Sequence, residues 1–140
     1  MMVADVKARE DVKFLFSDPK GMEDAVNGFM GMFDREVFDA VVADGMYGCA
    51  MAGVIAAKLG RGFIASCHGK VPAAAVKKGM KVVVICSGLT DGKDVLDIIH
   101  DAESKGVTVL RAGFVFEDLS AGARKNKVLK GYPFEALVSF

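Results

Sequence analysis

The sequence predicts an α/β protein with a doubly wound, mainly parallel sheet, and three observations predict it. Val82-Val83-Val84-Ile85 is a β-branched run with no alternation, the pattern of a strand covered on both faces. Asp39-Ala40-Val41-Val42-Ala43 has the same character. From Asp39 onward such strands alternate with helical patterns, which places helices on the faces of a parallel sheet. The chain has 140 residues, which fits one domain over 1–140, large enough to bury roughly two-thirds of its unfolded surface.

Taken in order, Met1 to Asp11 is expected to be a short helical or frayed lead-in and Val12 to Phe16 a strand, with Ser17-Asp18-Pro19-Lys20-Gly21 turning the chain. Met22, Ala25, Val26, Phe29 and Phe33 then make the stripe of a helix over Gly21 to Phe33. After the Asp39–Ala43 strand comes a small-residue loop, Asp44 to Gly48. The helix that follows, Cys49 to Leu59, is apolar nearly all round and should lie on the sheet. Gly60-Arg61-Gly62 stops it, Phe63 to Cys67 is a third strand, and Ala73 to Met80 is a connector. The Val82–Ile85 run is read as the central strand. Ser87 to Gly92 is read as the loop after it, leading to a helix from Gly92 to Ser104 with Val95, Leu96, Ile98 and Ile99 inward. Gly106 ends that helix, Val107 to Phe116 is a fifth strand, Ser120 to Lys130 is expected to be a basic helix, and Ala136 to Phe140 closes the chain as a strand.

Composition narrows the function. Lys and Arg number 18, as do Asp and Glu, and the zero net charge argues against nucleic-acid binding by bulk electrostatics. Cys49, Cys67 and Cys86 form no C-x-x-C pair and no Cys/His cluster with metal-ligand spacing, so no metal site is expected. All three are expected to be reduced core thiols of a cytoplasmic protein. No apolar run reaches membrane-spanning length, so no membrane partner is expected.

Ligand candidates fall at the carboxyl ends of strands, where open α/β sheets bind ligands and helix N-termini favour anions. One is the loop with Ser87, Gly88, Leu89, Thr90, Asp91, Gly92 and Lys93, read against an ordinary strand-to-helix turn, and the other is Asp44, Gly45, Met46, Tyr47 and Gly48. Tyr47 could stack on a base or cap the sheet. His68 and Lys70 follow a strand end and could form the cationic side of an anion site, or a solvated loop. Cys86 is expected to be a buried thiol rather than a nucleophile, because nothing orients a base toward it. His100 is read as surface or packing, and Glu117 as a partner of Arg111 or Arg124.

Several motifs occur together in a recognisable order. Phe14-Leu15-Phe16-Ser17-Asp18 is similar to an L-F-R-D stretch, Val42 to Gly48 lies where a G-P-E-x-R-G loop is expected, and Gly69-Lys70-Val71-Pro72 is similar to G-K-L-P. Gly113-Phe114-Val115-Phe116-Glu117 and Lys130-Gly131-Tyr132-Pro133-Phe134 to Phe140 match G-F-V-I-E-L and G-Y-P-x-x-S-L-V-S-F. Over nearly its whole length the chain resembles the type I phosphoribosyltransferases, and among them the adenine-type branch. The resemblance implies transfer of a phosphoribosyl group from 5-phosphoribosyl 1-pyrophosphate to a nucleobase nitrogen, with Mg²⁺ when that substrate is bound, by a homodimer. It assigns ribose and phosphate binding to Cys86 through Lys93 and pyrophosphate binding to Asp44 through Gly48; Phe16, His68 and Lys70 are the further candidates for anion or base contacts.

Three departures from the family pattern shape the expectation. The acidic pair that holds the ribose falls on Cys86-Ser87, and neutral groups cannot stabilise a cationic ribose electrostatically. Asp91 can cap the helix in place of a phosphate, and two anions ~4 Å apart repel by about 4 kcal/mol at a dielectric of ~20. Only Ala73 to Met80 separates Pro72 from Lys81, so the family's flexible hood is reduced. The residues therefore favour a catalytically impaired phosphoribosyltransferase-like protein that binds a nucleotide, nucleobase or phosphate. An active purine phosphoribosyltransferase, with Asp91, Ser87 and Asp44 standing in for the usual acids, and a non-catalytic assembly module are the alternatives.

Overall fold

Short apolar runs become the strands of one sheet, those at its centre largely buried and those at its two edges partly open to water. In the computed structural model, which describes residues 1–140, they are β1 (Ala40–Asp44), β2 (Gly62–Ala65), β3 (Lys81–Leu89), β4 (Thr108–Glu117) and β5 (Phe134–Ser139). Their order is β2-β1-β3-β4-β5, and every neighbouring pair is parallel. The doubly wound α/β expectation holds, with the Val82–Ile85 run at the centre. Helices α1 (Val12–Ser17), α2 (Pro19–Phe33) and α3 (Met46–Leu59) lie before β2 in the chain, and α4 (Lys93–Ser104) joins β3 to β4.

Alternate residues of the central strands feed two cores. Val41, Ala43, Val83 and Ile85 pack with Phe29, Phe33, Met51 and Ile55 of α2 and α3. Val42, Val82, Val84 and Cys86 pack with Val95, Ile98 and Ile99 of α4. Between Pro72 and β3 the chain makes only two short turns, Ala73–Ala75 and Lys77–Met80, so the hood is reduced to a connector. No helix is long and apolar enough to cross a membrane.

Four local expectations are corrected. Val12 to Phe16 is a helix and not a strand: Val12 and Leu15, three residues apart, are buried while Phe14 is 52% exposed, so the inward positions follow helical and not strand spacing. The lead-in before it is two single turns, Val3–Asp5 and Arg9–Asp11. Ser87, Gly88 and Leu89 continue β3 instead of starting a loop, because Gly88 leaves room for the Phe116 ring, which a Cβ there would strike, and the ladder runs on through Gly88↔Phe116 and Leu89↔Glu117. Ser120 to Lys130 is a chain of turns after a single turn at Leu119–Ala121. Gly122 and Lys127 adopt positive φ (93° and 54°), which no right-handed helix accommodates. Finally, Cys67 is exposed and Cys49 half-buried; of the three thiols expected in the core, Cys86 alone is buried.

Candidate functional site

The carboxyl ends of β1 and β3 open into a cleft of about 520 Å³. Its floor is Asp44 and Gly45 from the end of β1 and Ser87 and Gly88 from β3, with Thr90 just beyond; Met46 and Tyr47, the first residues of α3, form one side. Close approach of α3 to β3 makes this floor. A Cβ on Gly48 would lie 2.9 Å from the Cys86 carbonyl carbon and from the Ser87 nitrogen, so only glycine lets the helix start here. The Gly48 N–H donates to Ser87 Oγ at 3.0 Å, tying the first turn of α3 to the strand. Gly45, at φ 79°, makes the sharp entry and supplies no side-chain cap.

The acidic groups of the cleft are Asp44, Asp94 and Glu10. Ser66 Oγ lies 3.1 Å from the Asp44 carboxylate and 2.9 Å from the Ala43 carbonyl, and its one proton serves them in turn. Cys86 sits behind, with its thiol pushed well above the ordinary range by burial and further by the negative charges of Asp44 and Asp94. Two carboxylates therefore share the cleft with Ser87, one of the two strand positions at which the resemblance places the acidic pair. No group of three or more His, Cys, Asp or Glu side chains is placed to hold a metal ion alone.

Of the expected residues, Asp44, Gly45, Met46, Tyr47, Ser87, Gly88 and Thr90 meet at this cleft. Gly48 supports it from behind, and Leu89 is buried in the core on the α4 side. Asp91, Gly92 and Lys93 are absent from its lining. Contrary to the expectation that Asp91 caps α4, Gly92, at φ 86°, is the cap residue and the helix has no side-chain cap, while the Asp91 carboxylate, one residue earlier, accepts the Lys93 N–H at 3.0 Å. Phe16 stacks on Tyr47, with centroids 4.9 Å apart and planes at 15°, and so backs the cleft without lining it. His68 stands in an adjoining depression with Asp44, Asp94 and Asp97, and Lys70 in the next one with His100 and Asp101. The first holds three carboxylates and no lysine or arginine; the second sets Asp97 and Asp101 beside Lys70 and two histidines.

Arg9, Glu10, Lys13, Asp94 and Phe116 also line the cleft and escaped the sequence reading. Arg9 and Glu10 lay in a lead-in with no periodicity, and nothing local distinguishes Asp94 from a first-turn acid that favours a helix start. Glu117 is 1% exposed and takes Arg124 in a two-pronged pair, Nε at 3.1 Å and a terminal nitrogen at 2.8 Å, which holds the Arg124 pKa above its usual value. That pair fastens the turns after β4 and leaves Arg111 to Glu135 and Glu36.

Comparison with known proteins agrees with this geometry. No family model matches the chain. The adenine phosphoribosyltransferase of Jannaschia sp. strain CCS1 is 28% identical over 151 residues, covering 93% of this chain and 84% of that protein. Among solved structures, the adenine phosphoribosyltransferase of Giardia lamblia, complexed with 9-deazaadenine, superposes with a TM-score of 0.83 at 17% identity, covering 100% of this chain and 98% of that one. The enzyme of Thermoanaerobacter pseudethanolicus gives 0.79 at 21% identity, covering 90% and 84%. The fold is that of the type I phosphoribosyltransferases, with the hood reduced, and in sequence the chain resembles their adenine-type branch.

Proposed function

We propose that this chain, with its type I phosphoribosyltransferase fold and its likeness to adenine phosphoribosyltransferases, moves the phosphoribosyl group of 5-phosphoribosyl 1-pyrophosphate onto a ring nitrogen of adenine. The observation that carries this reading is that Asp44 and Asp94 line one cleft with Ser87, at the end of the strand where the acidic pair would stand. In the reaction the base nitrogen bonds to C1′ as the C1′–oxygen bond to pyrophosphate breaks, and the base loses its N–H proton. Positive charge grows on the ribose meanwhile, and two fixed carboxylates beside it would stabilise that charge where Cys86 and Ser87 cannot. Met46 and Tyr47, the first two residues of α3, line the cleft without a side-chain cap from Gly45 and would offer their amides to a leaving anion, the Gly48 amide being held by Ser87. A Mg²⁺ ion needs only one or two carboxylates when diphosphate oxygens and water complete its shell, so Asp44 and Asp94 would hold it, and it would neutralise the diphosphate charge. A homodimer and a cytoplasmic setting belong to the same proposal, the first checked by sedimentation velocity and the second by fractionation.

A second reading is favoured by one observation. Cys86 is buried and neutral, and Ser87 Oγ already accepts a hydrogen bond from Gly48, so the ribose position itself holds no carboxylate. On that reading the cleft binds a purine nucleotide, base or phosphate without turnover. Following AMP formation from adenine and Mg²⁺–phosphoribosyl pyrophosphate separates the two. The transferase reading expects AMP, with a fall of about tenfold or more in Asp44→Asn and Asp94→Asn. A folded wild-type chain that binds both substrates and forms no AMP above the uncatalysed rate leaves the binding reading in its place.

A further inference from the structure

The two cations that line the cleft, Arg9 and Lys13, both come from the N-terminal segment. Neither is engaged in an ion pair. We propose that Arg9 and Lys13 form the anion-recognising wall of the site and take the phosphate or diphosphate of the ligand, a role that rests on the phosphoribosyl reading for the identity of that ligand.

The segment is built to hold them in place. Val6, Val12 and Leu15 are buried in the core shared with α2 and α3, which anchors the chain on both sides of Arg9. The Asp11 carboxylate accepts the Lys7 N–H at 2.9 Å and the Ala8 N–H at 3.1 Å, fixing the turn from which Arg9 projects. The Arg9 guanidinium carbon lies 5.1 Å from the centre of the Phe116 ring, a cation–π contact that leaves its N–H groups free for an incoming anion. Lys13 follows one helical turn later, so both side chains meet the same cavity.

The need for such a wall follows from what surrounds it. Asp44 and Asp94 make the rest of the cleft negative, and Glu10 adds a carboxylate between the two cations. The other loop that could cradle a phosphate, Asp91 to Lys93, does not line the cleft, and its Lys93 amide is held by Asp91. The His68–Lys70 turn is surrounded by Asp44, Asp94, Asp97 and Asp101. An anionic ligand in this cleft therefore meets compensating side-chain charge at Arg9 and Lys13 alone. A guanidinium presents paired donors to phosphate oxygens, and a neighbouring ammonium adds a point charge.

Isothermal titration of the whole chain with inorganic pyrophosphate, with Mg²⁺–phosphoribosyl pyrophosphate and with adenine tests this. Arg9→Gln and Lys13→Gln should each weaken binding of both anions by about tenfold, leaving adenine binding within about twofold. Lys7→Gln, an exposed change outside the cleft, should bind like wild type, and Arg9→Lys should recover part of the loss. Raising ionic strength should weaken the anions and not the base. Thermal melts of the free variants identify any that lose the fold, and Lys13, on the exposed side of α1, keeps the test valid if Arg9→Gln does. Wild-type-like anion binding in both variants overturns the proposal, as does a wild-type chain that binds neither anion. AMP formation undiminished in both variants also overturns it while leaving the transferase reading intact. Pyrophosphate binding lost in both variants, without any binding of adenine or phosphoribosyl pyrophosphate to wild type, upholds the wall and removes the phosphoribosyl reading.

Discussion

Two loops leave the sheet side by side, after β1 and after β3, and both are small-residue stretches that lead into a helix, yet they end differently. After β1, Gly45 turns the chain without a capping side chain, and the start of α3 faces the cleft. After β3, Asp91 bonds the Lys93 amide, Gly92 enters α4, and Asp91 through Lys93 stay outside the cleft. The difference teaches that composition marks where a ligand loop can form, while the packing decides which helix start faces the cleft; each start has one amide held by a side-chain oxygen, Gly48 by Ser87 and Lys93 by Asp91. A helix start that faces the cleft can meet an anion there; one turned away from it cannot.

The contrast can be broken most severely at its tightest point. Gly48→Val places atoms against the Cys86 and Ser87 backbone and should cost about 1–3 kcal/mol in urea unfolding, and binding at the cleft should fall with it. Ser87→Ala, which leaves the Gly48 N–H without its acceptor, should cost about 1–2 kcal/mol by the same measurement. Asp91→Ala sharpens the comparison by freeing the one amide that Asp91 holds. It should cost ~0.5–1 kcal/mol and strengthen pyrophosphate binding in calorimetry, because the Lys93 amide is released and a negative charge removed. The smallest effect is expected from acid. Asp101, held below the usual carboxylate range by Lys105 and then by the Val71 N–H, joins α4 to the turn beside the cleft. Its folded value is depressed, so its contribution is complete above the ordinary value of about 3.9 and is lost as pH falls through the folded one. An acid titration of the unfolding midpoint should show this decline in wild type and less of it in Asp101→Asn.

Much of the sheet is legible in the sequence because a strand buried on both faces has no choice of residues, and Val82 to Ile85 announce it. The motif order also located the β1 end of the cleft, Asp44 to Tyr47. Other parts depend on contacts no window contains. Val12-Lys13-Phe14-Leu15-Phe16 suits a strand or one and a half helical turns, and packing on α2 settles it. The basic stretch after Ser120 has helical composition, but its backbone is bent at Gly122 and Lys127 around the Glu117–Arg124 pair, a partnership seven residues apart. Arg9, Lys13 and Asp94 gain their meaning from meeting in space, with nothing local to mark them.

The three cysteines give the molecule a clock. Thiols react as thiolates, so accessibility and acidity set the rate at which each sulfur is alkylated. Cys67 lies open on a turn, Cys49 is half covered with its thiol pushed up by burial and by Asp44, and Cys86 is sealed beneath the cleft floor beside two carboxylates. Timed alkylation read by mass spectrometry should label them in that order, with Cys86 marked only when the central strand is exposed. The sulfur that occupies an acid's place in the sheet thus records how often the floor of the cleft comes apart.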